Sequence, residues 1–284
     1  MLELSLVSIV WSLSFSLIGL FISPYVDPYL AVLIRIMCGI LIFLPFVRKT
    51  ACQEIKTLMI CGACQFGLTY IFLYQSFQYI TVIEVLLFSI TTPIYIVMIH
   101  SFFEKRFAMR AFAAAFLAVI GAGIIRYQAI SPSFVIGFVL MQTANFVFAF
   151  GQTYYQRTQK QSTKNYQNFF WFFAGAFVIV FPTWLFLGTT KFTMQTSTLL
   201  SLLYVGFLAT GLGQYFWLQG ATKVSAATLS VMNNLLIPLG IVINILFGGI
   251  IDMPVEFTIG STIILLSLWV AKQPKKSLIM NQPK

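Results

Sequence analysis

The sequence predicts an all-α membrane protein of ten transmembrane helices in two inverted five-helix repeats. Three observations predict it: composition, the parity of the basic residues, and a faint internal repeat. Of 284 residues, 59% are hydrophobic and 8% charged, with a mean hydropathy of +0.91. A soluble domain carries roughly a quarter charged residues. Ten spans of about 20 residues consume roughly 200 and leave only short connections. No extramembrane segment is then long enough to fold alone, which excludes a soluble catalytic or nucleic-acid-binding domain. Lipid offers no partner to backbone N–H and C=O groups and nothing here alternates like a barrel strand, so each span must be helical.

Apolar runs broken by polar or Pro/Gly clusters give spans at 4–22, 28–47, 57–78, 81–102, 107–126, 132–155, 167–188, 196–218, 222–247 and 254–272. The first follows Glu3 rather than a basic segment and has no small-residue cleavage signature, so it is expected to stay as a span. The second carries Arg35 and closes on Leu44-Pro45-Phe46; the third holds Cys61, Cys64, Tyr70 and Tyr74. Glu84 opens the fourth, ahead of Thr92-Pro93-Ile94, and Phe112 stands at the start of the fifth. Gln142 and Asn145 lie deep in the sixth; Trp184, toward the end of the seventh, and Trp269, toward the end of the tenth, read as interfacial anchors. Adjacent Asn233 and Asn234 precede Pro238 in the ninth.

Cytoplasmic loops retain positive charge. With these spans, fourteen lysines and arginines fall on one side, only Arg126 and Lys191 on the other, and Arg35 lies inside. That puts both termini in the cytoplasm, and an odd number of spans would mix the two sets. The formal charge of +10 is therefore a topology signal, and nucleic acid is not needed as a partner.

Pro93 and Pro238 are 145 residues apart, and the same offset carries Phe112 onto Phe257. Trp11-Ser12-Leu13-Ser14-Phe15 can be laid on Ala144-Asn145-Phe146-Val147-Phe148. Halves of five spans point oppositely across the bilayer, the geometry of an alternating-access carrier with its site near the midplane. The predicted organisation is a first repeat at 1–130, a second at 131–272 and a short basic tail at 273–284.

Ionisable groups inside a membrane are costly unless paired or facing a cavity. Arg35 and Glu84 are predicted at a shared level. They form either a structural ion pair fixing two helices, or a site in which Arg35 presents a forked donor to a substrate carboxylate while Glu84 competes for it or takes a proton. Asn145, Asn233 and Asn234 can donate and accept together, suiting an amide, urea or purine edge, or they are interhelical glue. Trp11, Tyr70 and Tyr74 are candidate walls for a ring system, against the alternative of packing. The Cys61-x-x-Cys64 pair lacks a second cysteine pair, and His100 is the only histidine, so no metal site is expected. Neither a nucleophile–base set nor a phosphate loop is visible, so the chain is not expected to be an enzyme, to use a cofactor, or to be an ATP-driven pump.

Several stretches carry a resemblance through nearly the whole chain: Trp11 to Ser16; Ala31 to Arg35; Glu84 to Phe88; Thr92 to Ile96; Ala118 to Tyr127; Met232-Asn233-Asn234; and Ser267 to Val270. On them the chain resembles the drug/metabolite transporter superfamily with two EamA-type halves, and within it the biotin-carrying branch. Glu84 with its Leu-Leu-Phe, the Gly121 to Tyr127 run and the Met-Asn-Asn triplet point to that branch. The resemblance implies a multi-pass protein of the bacterial inner membrane that takes up biotin or a related carboxylate metabolite without an ATPase subunit. It implies binding through Trp11, Arg35, Glu84, Asn145, Asn233 and Asn234; Tyr74 rests on geometry alone. Two alternatives stay open at this point: an S-adenosylmethionine exchanger or amino-acid exporter of the same fold, and a membrane scaffold whose buried polar residues are structural.

Overall fold

The structure, a computed structural model, describes residues 2–47, 52–105, 109–125, 131–158, 165–193, 195–221, 226–249 and 254–271. The basic tail and most of the lysines and arginines that set the expected orientation lie outside these residues. Helices dominate. Among the described residues the only strand-like pairing is a single antiparallel bridge between Val26 and Phe192.

Helix α1 runs Leu2–Leu17 and continues as a π-helical stretch, Ile18–Ile22. Helix α2, Pro28–Phe43, begins where its sequence says it should. Asp27 is the N-cap and accepts from the Leu30 N–H at 2.9 Å, while Pro28, which has no N–H to leave unsatisfied, takes the first turn. Pro45 then closes the rod in a 3₁₀ turn, Leu44–Phe46. The third rod is helix α3 (Cys52–Gly62), a π stretch (Ala63–Leu68) and α4 (Thr69–Ser76).

Helix α5, Val82–Phe88, starts on a capping box in which the Thr81 hydroxyl accepts from the Glu84 N–H and the Glu84 carboxylate accepts from the Thr81 N–H. Pro93 cannot donate a backbone bond, and the rod breaks there into a 3₁₀ turn, Ser89–Thr91, followed by α6, Thr92–Phe103. Helices α7 (Met109–Ile125), α8 (Pro132–Thr158) and α9 (Phe169–Leu187) follow. The next rod is α10 (Thr196–Leu203), a nine-residue π stretch (Tyr204–Leu212) and α11 (Gly213–Ala221). Helices α12 (Ala226–Leu246) and α13 (Pro254–Ala271) complete the order.

Seven of these rods are long and apolar enough to cross a bilayer: Glu3–Ile22, Pro28–Phe46, Gln53–Ser76, Val82–Phe103, Pro132–Thr158, Phe169–Leu187 and Thr196–Gly220. Each falls on an expected span. Two shorter apolar stretches, Leu235–Leu246 and Pro254–Ser267, fall on two more. Large apolar side chains stand on the outside, with Phe102, Phe186 and Leu246 each about 80% exposed, an arrangement water would penalise and lipid does not. The chain is a multi-pass membrane protein.

Without a hydrophobic difference between lipid and protein, membrane helices associate through close packing at small residues. Helix α3 crosses α9 where Gly62 lies on the Phe172 backbone and Gly175 lies on the Met59 backbone; a methyl group at either glycine would collide with the opposite main chain. Helix α7 meets α13 at Gly121, whose missing Cβ would stand 2.7 Å from the Gly260 carbonyl. Elsewhere α1 packs on α12, α6 on α8, and α2 on both α9 and the Tyr204–Leu212 stretch. Asp27 ties the α1–α2 connection to the chain after α9. Its second carboxylate oxygen accepts from the Thr189 N–H at 3.1 Å and the Thr189 hydroxyl at 2.9 Å, and Lys191 Nζ donates to the Ser23 carbonyl at 2.9 Å.

Candidate solute-binding cavity

The middle stretches of the rods do not fill the centre. They surround a cavity of about 90 Å³, with Trp11 and Phe15 from α1, Arg35 from α2, Thr69 and Tyr70 from α4, Asn145 from α8 and Gln214 from α11 in its wall. A buried water needs roughly 10–15 Å³ of such space and two to four polar partners, so the chamber has room for several waters or part of a solute.

Arg35 dominates the electrostatics. It is only 4% exposed, and its Nε–H donates to the Thr210 hydroxyl. Its guanidinium carbon lies 3.7 Å from the centroid of the Tyr70 ring and 5.7 Å from that of Tyr74. Ring contacts of this kind return about 2 kcal/mol when desolvated, much less than the cost of burying a cation without a counter-charge. Among the described residues no carboxylate lies within 4.0 Å of it, and the one ion pair is His100–Glu104 at 3.3 Å. Arg35 Nη1 is buried with no partner.

The Thr210 contact is set up by the backbone. In the Tyr204–Leu212 π stretch the Thr210 hydroxyl donates to the Val205 carbonyl, five residues back, at 2.8 Å. With its proton committed there, its lone pairs remain for Arg35. Helical stretches of this wide type concentrate at functional sites.

Gln214 lies four residues beyond Thr210, one helical turn on. Its Nε2 donates to the Tyr70 hydroxyl at 2.8 Å, and its Oε1 is buried without a partner. Each unsatisfied buried polar atom costs about 1–3 kcal/mol, and more when charged. Trp11 forms an aromatic side of the chamber, held by its Nε1–H bond to the Ala209 carbonyl at 2.8 Å and by the Trp217 ring, 4.8 Å between centroids. Asn145 Nδ2 donates to the Phe88 carbonyl at 2.8 Å and the Thr91 hydroxyl at 3.0 Å, which uses both of its N–H bonds.

The expected residues therefore separate. Trp11, Arg35 and Asn145 meet at the cavity. Tyr74 is buried behind its wall, within reach of the Arg35 charge. The side chains of Asn233 and Asn234 fall outside the described residues, although their backbone belongs to α12.

The Arg35–Glu84 ion pair does not form. Glu84 is 4% exposed, caps α5 by accepting from the Thr81 N–H at 2.8 Å and the Thr81 hydroxyl at 2.9 Å, and is not part of the cavity wall. A shared depth on two helices does not bring their side chains together. The Thr81-x-x-Glu84 pattern that signals a capping box was legible in the sequence. Thr69, Thr210 and Gln214 are the residues that sequence reasoning missed. The available signal was a threonine and a glutamine at i, i+4 in an otherwise apolar run.

A buried cation, an amide and aromatic walls thus surround a chamber at mid-rod depth in a multi-pass membrane protein, with no catalytic set among the described residues. The profile of the EamA-like transporter family matches residues 1–127 and 135–273, and the chain belongs to that family. It is 40% identical over 280 residues to the "Probable biotin transporter" of Pseudomonas aeruginosa, covering 96% of this chain and 97% of that one. It is 38% identical over 276 residues to the "Biotin transporter" of Salmonella typhimurium and to that of Escherichia coli, covering 95% of this chain and 92% of each. One crystal structure superposes with a TM-score of 0.65 at 15% identity, covering 94% of this chain and 96% of that chain; the fold is what the two share.

Proposed function

We propose that this protein is a secondary carrier that takes up biotin across the bacterial inner membrane by alternating access. The observation that carries the reading is a buried Arg35 with no carboxylate beside it among the described residues, at a mid-rod cavity, in a chain 38–40% identical along nearly its whole length to proteins named biotin transporters. Biotin is a small anion with a polar ureido ring and an apolar tail. Arg35 takes the carboxylate, Asn145 with Asn233 or Asn234 meets the ureido ring, and Trp11 supplies an apolar wall. Tyr74 backs the guanidinium, and Glu84 holds the start of α5 beside the chamber rather than touching solute.

The architecture in this reading is ten spans in two inverted repeats, 1–130 and 131–272, with both termini cytoplasmic. The two separate stretches matched by the family profile support it. So does the pairing of rods: first with ninth as sixth with fourth, second with eighth as seventh with third, and fifth with tenth. Each pairing maps onto its counterpart, or onto itself, when the halves are exchanged.

Labelled-biotin uptake into bacteria lacking their own transporter tests the reading. Saturable uptake, competed by unlabelled biotin and not by S-adenosylmethionine, is expected. Competition by S-adenosylmethionine alone would move the substrate to that class, and no transport of either would leave the scaffold reading.

A further inference from the structure

We propose that Gln214 is the residue that selects for the ureido ring, by accepting one of its N–H bonds. The proposal rests on the biotin-carrier reading and deepens it.

Among the described residues, two fully buried polar atoms of the chamber's lining side chains make no hydrogen bond, one a donor and one an acceptor. Arg35 Nη1 and Gln214 Oε1 are both buried without partners, and both residues line the cavity. A single ring orients the two. The guanidinium stacks over Tyr70, and the Tyr70 hydroxyl accepts from Gln214 Nε2. That bond fixes which end of the amide is committed and leaves the carbonyl end over. Asn145, the other amide in the wall, has spent both N–H bonds on α5 and the turn after it, so it meets the solute only through its carbonyl oxygen. The set that remains, a cationic donor and a neutral acceptor, matches a solute that brings an anionic group and an N–H. A simple carboxylate would satisfy Arg35 and leave Gln214 Oε1 orphaned; a carboxylate joined to a cyclic urea satisfies both. Sites built to hydrogen-bond a solute N–H reject analogues that lack it far more strongly than apolar pockets reject a change of size.

The test is competition against labelled-biotin uptake by two analogues: biotin alkylated on both ureido nitrogens, which has lost its N–H donors, and biotinamide, which has lost its carboxylate. The wild-type carrier is expected to prefer biotin to the alkylated analogue by at least about tenfold. In Gln214→Met the KM for biotin rises about tenfold and this preference shrinks to less than about threefold, while discrimination against biotinamide, which belongs to Arg35, persists. Tyr70→Phe keeps the ring under Arg35 but releases the amide, and moves the preference in the same direction by a smaller factor. Full preference for biotin over the alkylated analogue in both variants overturns the role of Gln214 and leaves the carrier reading intact. A wild-type chain that takes up no biotin overturns both.

Discussion

Thr69 and Thr210 do the same thing in two different rods. Each donates its hydroxyl to the carbonyl five residues earlier, Thr69 to Cys64 at 2.9 Å and Thr210 to Val205 at 2.8 Å, and each belongs to or directly follows a π stretch. They stand 141 residues apart in the sequence. Their surroundings differ: Thr210 receives the Arg35 Nε–H, whereas Thr69 lines the cavity. The π stretches thus serve the chamber from the third and eighth rods, the positions that exchange under the proposed repeat.

Thr210→Val removes the acceptor that aims Arg35 while keeping the side-chain shape. A buried hydrogen bond to a charged group contributes about 1.5–3 kcal/mol, so the KM for biotin should rise by roughly tenfold or more. Thr210→Ser should restore it, and Thr69→Val should have the smaller effect. Uptake kinetics at several biotin concentrations check this ordering.

The crossing of α3 with α9 depends on the absence of two side chains. Leucine at Gly62 or Gly175 must push the helices apart, at a cost of about 1–3 kcal/mol or more. Thermal unfolding of the detergent-solubilised protein should show a Tm several degrees below wild type for either variant. Leucine at Gly123, where nothing lies within 4 Å of the missing Cβ, should leave the Tm nearly unchanged.

Glu84 is a cap in this structure, which separates two variants. Glutamine still offers an acceptor to the Thr81 N–H, so Glu84→Gln should keep both uptake and its pH dependence. Glu84→Ala keeps the Thr81 N-cap but loses the reciprocal half of the capping box, worth about 1 kcal/mol, and should lower the Tm by about 2–4 °C. A pH profile flattened by Glu84→Gln would instead make this carboxylate a proton carrier.

The rods were legible because hydropathy reports them directly: the apolar runs around Arg35, Tyr70 and Asn145 became helices in their expected places. The π stretches were not, since an i to i−5 bonding pattern leaves no mark on the spacing of apolar residues. Arg35 was recognisable as a buried cation, but its partners were not. Two side chains at equal depth on different helices meet only if the helices present them to each other, and Glu84 was already engaged by Thr81. Gln214 was overlooked for a related reason: its importance comes from Tyr70 and Arg35, residues far away in sequence that only packing brings together.

Saturable uptake of labelled biotin by cells expressing the wild-type chain, compared with cells expressing equal membrane amounts of Arg35→Ala, tests the central claim most directly. Removing the cation that the described residues place in the chamber wall should abolish saturable uptake, and Arg35→Lys, which keeps the charge but not the fork held by Thr210, should recover a minor part of it. Uptake by Arg35→Ala with the wild-type KM and maximal rate would contradict the account.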